Sequence, residues 1–534
     1  MSARKDIVFL FNLLQDVNIL RGLVQLAAAE CEADLHLLVS NAFGKRDRLN
    51  IWGPELAELA RETGAQVQVF ETPADIRHYL NGRGGVMIAA SESNLQAHAE
   101  TRDAFRIAPA SFIRITLQHG LECIGFLQSR EHVLGHGRNI TFNADLICAW
   151  LQADRLSALS YPERGKLQVT GPSTLLNRPL PHPDHPPAGG GLVCENMHSV
   201  RLSASGDHRA SFMDIFFDFC HRLEARGQDV TLRPHPGGQY VLKNKIALPD
   251  NIHLNTLPIY HVDLAGYAYG ISAPSTIVLD MVLADIPTAV WRDPAGIMDA
   301  RNYDGLTTIS SIEDWLGFER DARLRPGMIL ERQRRFLDRL GMPQDRAWIR
   351  ARFAGLLQTA LAAGSNAPPP RPVLCPRPRG DTFGYRLLVL GEETAPPLAI
   401  PGETETVLLS SSRMCGPGGV ERAHGDIRAW QQRKIAEYAP RLVVVRTADA
   451  GLDAPLEQAR GQGAVILFCR PDQPEGTRDL ARLVRPGDLV HVGTGQDGED
   501  LRRRGVGGQI VTGPLTAAVA RALGQSAARA EALP

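Results

Sequence analysis

Short apolar, β-branched runs alternate with amphipathic stretches along almost the whole chain. Between residues 6 and 175 these runs predict seven strands, and stretches such as Ile19–Cys31 and Pro54–Thr63 predict helices between them. The alternation is typical of β-α-β units, whose parallel strands form a sheet that helices cover on both faces. The predicted strands are Ile7–Phe11, Asp34–Val39, Gln66–Phe70, Val86–Ala89, Ile113–Leu117, Leu146–Ala149 and Leu167–Thr170.

Two segments rich in helix- and strand-breaking residues divide the chain of 534 residues. Residues 178–191 hold five prolines and three glycines, so they cannot continue a helix or a central strand. Residues 366–384 are rich in proline and arginine, which is typical of a spacer. We therefore expect two linkers between three units, at residues 1–177, 192–365 and 385–534.

The alternation continues in the second and third units, so each is expected to contain a parallel sheet. In the second unit helices are predicted at Ser211–Arg226, at Thr276–Leu283 and within residues 312–362. Its predicted strands are Gly191–Glu195, Val230–Arg233, Ile252–Leu254, Leu264–Tyr267 and Thr288–Trp291. Those of the third unit are Arg386–Leu390, Val407–Leu409, Leu442–Val445, Ala464–Phe468, Leu489–Val492 and Gln509–Thr512. The predicted fold class is α/β, with three Rossmann-like units.

Charge and cysteine usage exclude several classes of function. The 58 basic and 59 acidic residues balance to a net charge of −1, which gives no electrostatic footprint for nucleic acid. No apolar run is long enough to span a bilayer, and no signal peptide precedes the first strand. The eight cysteines are scattered and lack metal-ligand spacing, so we expect a cytoplasmic protein with reduced core thiols. His132 and His136 have the spacing of a helical metal pair, but Gly135 and Gly137 argue against a helix there, and no metal is predicted.

The segment Leu-Arg-Pro-His-Pro-Gly-Gly at residues 232–238 ends a predicted strand. Arg233 supplies a cation that can bind phosphate in a bidentate manner, and His235 supplies an imidazole. Prolines on both sides of His235, the second being Pro236, stiffen the loop that presents the ring, and Gly237 follows. This pattern favours a phosphate site over a packed histidine.

About forty residues later, Ser-Ala-Pro-Ser-Thr at residues 272–276 opens a predicted helix. The hydroxyls of Ser272, Ser275 and Thr276, together with the unpaired N–H groups of the first turn, suit anionic oxygens. An ordinary helix cap is the alternative, and it is compatible with phosphate binding at the same helix start. Asp280 lies one turn further on the same side of the helix as Thr276.

In the first unit, Gln-His-Gly-Leu-Glu at residues 118–122 ends another predicted strand. Ligands of open α/β sheets lie outside the carboxyl ends of strands, which places Gln118, His119 and Gly120 near one. Glu122 is the nearest carboxylate and a candidate general base, as is His119. The alternative for His119 is a capping histidine beside a turn glycine.

Polar residues also follow the first predicted strand. Gln15, Asp16 and Asn18 stand where side chains could reach an acceptor in the cleft, although a capping Asp or Asn is equally natural there.

On these motifs the first 365 residues resemble GT-B glycosyltransferases, whose two Rossmann-like domains face each other across a cleft. They are similar to bacterial surface-polysaccharide enzymes: Kdo and sialyl transferases with a His-Pro motif and a later Ser/Thr pair, and CDP-glycerol glycerophosphotransferases with His-Gly and His-Pro motifs. The resemblance assigns His235-Pro236 and Ser275-Thr276 to the donor nucleotide and Asp280 to its ribose. It places His119-Gly120 in the cleft of the acceptor domain. The acidic triplet of many sialyl transferases is absent.

The resemblance implies a metal-independent enzyme that moves a sugar from a nucleotide-activated donor, for which a CMP-sugar is one candidate, to a bacterial surface polysaccharide. The nucleotide-sugar would be a co-substrate, and no cofactor is expected. The acceptor would be a glycan or a lipid-linked glycan, which could bring the protein to the periphery of the inner membrane. A glycerophosphotransferase, a nucleotide-sugar 2-epimerase and a non-catalytic binding protein are the alternatives, and the third unit lies outside the resemblance.

Overall fold

The computed structural model of the chain describes residues 5–109, 111–137, 140–177, 189–195, 209–235, 240–363, 387–390, 406–409, 431–432, 434–435, 440–446, 452–469 and 480–531.

The first unit is built on a seven-stranded parallel sheet in the order β3-β2-β1-β4-β5-β6-β7. Its first strand, rich in Ile, Val, Phe and Leu, lies in the middle and is buried on both faces, as expected of a parallel strand covered by helices. The strands are β1 Lys5–Phe11, β2 Ala33–Ser40, β3 Gln66–Phe70, β4 Gly85–Ala89, β5 Phe112–Leu117, β6 Leu146–Ala149 and β7 Leu167–Val169. All seven lie where the sequence predicts them, within two residues at either end.

Two six-stranded parallel sheets follow; the second sheet repeats this winding, whereas in the third the first strand lies between the second and third strands. Their orders are β10-β9-β8-β11-β12-β13 and β15-β14-β16-β17-β18-β19, each with its first strand inside the sheet. The second sheet contains β8 Gly191–Glu195, β9 Val230–Pro234, β10 Ile252–Leu254, β11 Tyr269–Ser272, β12 Thr288–Trp291 and β13 Thr307–Ile309. The third contains β14 Leu387–Leu390, β15 Thr406–Leu409, β16 Leu442–Val445, β17 Val465–Cys469, β18 Leu489–Val492 and β19 Gln509–Thr512.

All three sheets are parallel and doubly wound, so the predicted α/β class is confirmed, and the first two sheets have the strand order of the Rossmann fold. In such sheets the chain reverses direction between the first and fourth strands, and a crevice opens there at the carboxyl ends of the strands. The reversals lie between β1 and β4 in the first sheet and between β8 and β11 in the second.

Helices cover both faces of the sheets. Short 3-10 turns lie between them, including Ser173–Leu176, Ile259–His261 and Leu264–Gly266. The helices are α1 Asp16–Glu30, α2 Asn41–Arg46, α3 Trp52–Thr63, α4 Pro73–Leu80, α5 Ala99–Ile107, α6 Arg130–His136, α7 Arg209–Glu224, α8 Tyr240–Lys243, α9 Thr276–Leu283, α10 Ile312–Leu324, α11 Pro326–Leu340, α12 Arg346–Ala362, α13 Asp453–Gly461, α14 Gly495–Arg503 and α15 Leu515–Glu531.

The last helix before the second spacer returns to the first unit. Ile349, Phe353 and Leu357 of α12 are buried in the same apolar cluster as Phe9 of β1 and Leu23 of α1. The sequence places this helix in the second unit, but its apolar face packs on the first sheet. The chain therefore crosses between these two units twice, and α12 ties them together.

Two sequence predictions are wrong. Leu264–Tyr267 is not a strand: residues 264–266 form a 3-10 turn, and the strand is Tyr269–Ser272, which pairs with Gly191–Cys194 of β8. Residues 130–136 are helical in spite of Gly135, because Ser129 and His132 form a reciprocal cap at the helix start and Gly137, at φ 71°, ends it. The short strand Thr307–Ile309 was not predicted.

The predicted linkers fall largely outside the described residues, which omit 178–188 and all of 366–384. The limits of the three units therefore stay predictions. Within the described residues, no helix combines the length and the apolar character needed to cross a bilayer.

A glycine in α1 shows how tightly the first unit packs. A Cβ placed on Gly22 would lie 2.7 Å from Leu176 Cβ and 2.8 Å from Asn177 N, whereas one on Gly317 of α10 would meet nothing within 4 Å. We predict that Gly22→Ala lowers the free energy of unfolding by about 1–3 kcal/mol, because backbone atoms must move. Gly317→Ala should raise it by about 0.5–1 kcal/mol through helix propensity. Urea denaturation of both variants checks this; stabilisation by both substitutions would contradict the packing.

Candidate functional site

A cavity of about 330 Å³ lies between the first and second units, at the carboxyl ends of both sheets. The loop after β5 closes one side of it against the start of α9. Leu121 N donates a hydrogen bond to Thr276 Oγ1 at 3.1 Å. A Cβ on Gly120 would lie 2.5 Å from that oxygen, so only glycine permits this approach. The two strand-end motifs found in the sequence thus meet across one cleft.

A second contact between the units lies beside the cavity. Glu55 of α3 accepts hydrogen bonds from the Tyr260 hydroxyl at 2.7 Å and from His261 Nε2 at 2.8 Å. The Arg21 guanidinium lies 4.9 Å from the centre of the Tyr260 ring. Together with α12, these contacts hold the walls of the cleft in place.

Arg233 is a buried cation on the second-unit side of the cavity. It stands at the end of β9, and burial lowers the pKa of its guanidinium. Its one hydrogen bond within the described residues joins Nη1 to Asn255 Oδ1 at 3.3 Å, and no described carboxylate oxygen lies within 4.0 Å of it. An arginine has five N–H donors, so most of the capacity of Arg233, which also lines the cavity, is unused within the described residues. A buried charge with so little compensation is costly, which makes the position a candidate anion site.

His235 lies beside Arg233 on the same wall. Burial, and secondarily the positive charges of Arg233 and Lys243, lower the pKa of His235 to about 4. The ring is therefore neutral at pH 7, with one nitrogen able to donate a hydrogen bond and the other able to accept one.

The N-terminus of α9 faces the same space. Ser275 is the N-cap residue, but its side chain makes no capping hydrogen bond, so the ordinary cap role that the sequence allows is not taken up. The Thr276 hydroxyl accepts from Leu121 N, which leaves its own proton available to a ligand. The first-turn N–H groups and the positive end of the helix dipole thus lie opposite Arg233 and His235.

Asp280 lines the cavity one turn further along α9. Burial raises the pKa of Asp280 to about 7, against the weaker opposing effect of Arg233. The carboxyl is therefore about half protonated at neutral pH, and it is partly buried rather than solvent-facing.

His119 lies on the first-unit side. Its Nδ1 is 3.4 Å from Cys123 Sγ, and its ring meets the ring of His98 edge to face, with centroids 5.7 Å apart. Burial lowers the pKa of His119 to about 4 and raises that of the Cys123 thiol to about 12. Ser93 Oγ lies 2.7 Å from His98 Nδ1 and fixes the second ring. His119 is thus a neutral imidazole whose orientation is constrained on two sides.

Glu122 also lines the cavity, and the second unit orients it: Asn302 Nδ2 donates to Glu122 Oε1 at 2.9 Å. Both candidates for the general base therefore stand at the cleft. Among the described residues, no group of three or more His, Cys, Asp or Glu side chains could hold a metal ion.

The polar residues after β1 have two different environments. Gln15 and Asn18 line the cavity, and Asn18 Oδ1 is buried without a hydrogen-bond partner among the described residues. Asp16 turns inward instead: it accepts from the N–H groups of Asn12 and Leu13 and from Ser91 Oγ, at 2.7–3.1 Å. Burial raises the pKa of Asp16 to about 6. It holds the turn after β1 and is not part of the cavity wall.

Two other predicted site residues also have structural tasks. Gln118 is buried, donates to Gly120 O at 2.9 Å and accepts from Trp150 N at 2.9 Å, so it shapes the loop that carries His119. The Ser272 hydroxyl is buried and donates to Ala273 O at 2.8 Å. Neither lines the cavity. Pro236 and Gly237 lie outside the described residues.

Several lining residues were not predicted from the sequence; Thr174 and Ile259 come from segments without a motif, and others lie within or beside the motifs. Thr174, Ile259 and Asp280 also line a second cavity of about 230 Å³, so the two spaces adjoin along α9. The second cavity is mainly apolar, with Val262, Leu264 and Leu283 on its walls and the polar groups of Asn177, Asp263 and Arg346. The remaining lining residues of the first cavity are Ile19, Cys123, Ile124, His132, Pro234, Pro274 and Ile277.

Comparisons with known structures find only remote similarities. The wall teichoic acid polymerase TagF superimposes with a TM-score of 0.46 at 10% identity, over 67% of this chain and 89% of that one. A putative UDP-N-acetylglucosamine 2-epimerase from Listeria monocytogenes gives 0.43 at 12% identity, over 68% and 97%. The glycotransferase of kitacinnamycin gives 0.41 at 12% identity, over 67% and 100%. No protein-family model matches the chain, and no curated protein does.

The ionisation of Asp280 gives a pH-dependent prediction. Its pKa is about 7 in the folded protein and 3.8 as a model value, so between these pH values the folded state holds a proton that the unfolded chain releases. This carboxyl therefore makes stability fall as the pH rises from about 4 to 7. Asp280→Asn stays neutral, and we expect it to be about 1–3 kcal/mol more stable than the parent at pH 8 and equal to it below pH 4.

Urea denaturation at pH 4, 6 and 8 measures this difference. The exposed Asp338→Asn on α11 is the matched control, and it should change stability by less than about 0.5 kcal/mol at each pH. A constant difference for Asp280→Asn across this range would contradict a raised pKa.

Proposed function

We propose that the chain is a transferase that binds a nucleotide-activated donor in the cleft between its first two units and passes the activated group to an acceptor hydroxyl. The observation that carries the proposal is Arg233, a buried cation without a carboxylate partner among the described residues, which faces the open N-terminus of α9 across a cavity.

A phosphate group fits the chemistry of that wall. It would accept hydrogen bonds from the Arg233 guanidinium, the His235 ring, the Thr276 hydroxyl and the first-turn N–H groups of α9. A dianionic ligand would also supply the negative charge that Arg233 lacks, so binding would relieve a cost already present in the empty protein.

The adjoining cavity supports a ligand longer than a phosphate. An extended molecule anchored at Arg233 could run along α9, pass Asp280 and reach the apolar space beside Val262 and Leu264. Asp280 at the junction suits the hydroxyls of a ribose, and the apolar walls suit a base. Nucleotide binding would account for a polar cavity at Arg233 that continues past Asp280 into an apolar one.

The reaction would be a displacement. The acceptor oxygen forms a bond to the anomeric carbon of the donor, the bond from that carbon to the phosphate oxygen breaks, and the nucleotide leaves with the electron pair. Arg233, His235 and the α9 N-terminus would stabilise the negative charge that grows on the leaving phosphate, a preorganised electrostatic effect of the kind that often dominates catalysis. The acceptor proton would pass to a base on the first unit.

His119 is the base we favour. Its ring is neutral at pH 7, and Cys123 and His98 hold its orientation, whereas the Glu122 carboxylate already accepts the Asn302 side-chain amide. Gln15 and Asn18 would contact the acceptor, for which we propose a glycan or lipid-linked glycan. The unpartnered Oδ1 of Asn18 supports that role, because a hydroxyl could donate to it.

The same phosphate-binding residues would serve transfer of glycerol phosphate from CDP-glycerol, in which the acceptor oxygen attacks phosphorus instead. A nucleotide-sugar 2-epimerase would need no acceptor. Product analysis separates these outcomes: a new glycoside, a new phosphodiester, or an isomerised donor in the absence of acceptor.

Nucleotide binding tests the proposal first. We expect one of CMP, CDP, UDP or GDP, at about 100 times its dissociation constant, to stabilise the protein by about 2.7 kcal/mol. Arg233→Met should weaken that nucleotide about 10- to 100-fold, the value of one to two charged hydrogen bonds. Because the substitution also removes an uncompensated buried charge, the ligand-free variant should be at least as stable as the parent.

Thermal denaturation with each nucleotide provides the measurement. Arg222→Met is the matched control, since Arg222 is exposed and paired with Asp218 on α7 of the same unit. Equal stabilisation of the parent and of Arg233→Met by the nucleotide would place its phosphates elsewhere.

The base assignment makes a separate kinetic prediction. His119→Asn should lower kcat about 10²- to 10⁴-fold while the nucleotide still stabilises the protein, because proton transfer is lost and the donor wall is intact. Glu122→Gln keeps the contact with Asn302 and should have a smaller effect. Single-turnover rates with the identified donor check this, and the reverse order of the two variants would assign the base to Glu122.

A further inference from the structure

The third unit contains one lysine. Residues 385–534 carry their positive charge on arginines except at Lys434. In the structure this lysine is 1% exposed. Its ammonium group does not lie in the third unit's own core: Nζ donates to Phe142 O of the first unit at 2.8 Å. Ile435, the next residue, is buried in an apolar cluster of the third unit, so the two units meet at this point.

Lys434 enters a cluster of buried charges. Lys166 Nζ also donates to Phe142 O, at 3.2 Å, and pairs with Glu163 Oε2 at 2.6 Å. Glu163 Oε1 in turn accepts from Phe142 N at 3.2 Å. Glu92 accepts from Asn143 N at 2.9 Å and from Ala144 N at 3.2 Å. Glu92 and Glu163 are therefore matched by the two lysines around residues 142–144, and one of the cations comes from the third unit.

The carboxylate that Lys434 helps to balance is Glu92. Burial raises the pKa of Glu92 to about 7, and the Lys434 charge opposes that rise, together with Arg102. Without Lys434 the first unit would bury two carboxylates beside one lysine, with the half-buried Arg102 as the other nearby cation, and removal of one partner from a buried charge cluster is strongly destabilising.

Glu92 is adjacent in the chain to a residue that leads to the cavity. Ser93 Oγ lies 2.7 Å from His98 Nδ1, and the His98 ring packs edge to face on His119. Asn94 fixes the same loop to the segment that Lys434 contacts, through Asn94 N to Thr141 O and Thr141 N to Asn94 Oδ1, both 3.1 Å. A continuous set of contacts therefore runs from Lys434 to the His119 imidazole.

We propose that the third unit is a positioning domain, and that its Lys434, by completing the buried charge cluster at residues 142–144, holds the loop of Glu92, Ser93 and His98 that orients His119 in the cleft. The catalytic consequence rests on the proposed role of His119; the structural coupling does not. Lys434 touches no substrate in this account and acts only through other residues.

The test uses the full chain with histidines labelled for NMR, because imidazole signals report ring environment whether or not the protein is a transferase. The signals of His98 and His119 are identified by their loss in His98→Asn and His119→Asn. Lys434→Met keeps the side-chain volume and removes the charge. We expect it to shift both signals and to leave nucleotide stabilisation unchanged, since Arg233 and α9 lie on the other wall.

Arg482→Ala is the matched control: this exposed arginine pairs with Asp453 inside the third unit, and its loss should move neither signal. If His98 and His119 keep their parent signals in folded Lys434→Met, the proposal is overturned, whatever the outcome of the nucleotide screen. Signals that shift in a protein that binds no nucleotide would support the coupling and contradict only the transferase.

A second variant covers the case in which Lys434→Met does not fold. Glu92→Gln removes the charge that Lys434 balances, so the double variant Lys434→Met/Glu92→Gln should regain folding and be more stable than Lys434→Met alone. A double variant that is no more stable than the single one would show that Lys434 and Glu92 are not coupled, and would overturn the proposal.

Discussion

The cleft between the first two units contains a buried positive charge with no carboxylate in contact among the described residues. Arg233 stands at the end of a central strand, where burial lowers its pKa, and within the described residues it has one hydrogen bond and no carboxylate in contact. Burial of that charge is unfavourable for folding, and the surrounding groups do not neutralise the charge. His235 is neutral, and Asp280 is about half protonated. The N-terminus of α9 adds a further positive potential. In the proposed function an anion would complete this wall. The close contact at Gly120 and the adjoining apolar cavity would then help to enclose that ligand.

The cavity exists only because the first and second units are held in one relative position. The Leu121 N–H to Thr276 hydroxyl bond, the Glu122 to Asn302 bond and the Glu55 contacts each join one unit to the other. Helix α12 adds apolar packing on the first sheet. Both candidate bases lie on the first unit and the proposed phosphate-binding residues on the second, so a hinge motion would change the distance between the base and the donor. The third unit also contacts the first, because its buried Lys434 places a positive charge beside Phe142 of the first unit.

The sequence predicted the sheets well because parallel strands buried on both faces appear as short apolar runs, whatever their neighbours. The exceptions are informative. The strand at Tyr269–Ser272 was predicted at residues 264–267 because both stretches are apolar. Only the pairing with β8 distinguishes them. Helix α6 was not predicted because Gly135 disfavours a helix in sequence, whereas the cap formed by Ser129 and His132 stabilises the start of the helix in the structure. Motif residues at strand ends were brought to the cavity by topology, but Asp16, Gln118 and Ser272 turned inward, since a polar side chain beside a turn can satisfy backbone groups as readily as a ligand. Thr174, Ile259 and Lys434 carry no local signal, because their roles depend on contacts between distant parts of the chain.

In the proposed function an anionic phosphate binds to the wall formed by Arg233, His235 and the start of α9. The most direct measurement is a crystal structure of the protein with the nucleotide that stabilises it most. We expect phosphate density within hydrogen-bonding distance of the Arg233 guanidinium and the Thr276 hydroxyl, with the nucleoside extending past Asp280. A nucleotide bound elsewhere, with Arg233 still contacting only Asn255, would contradict it.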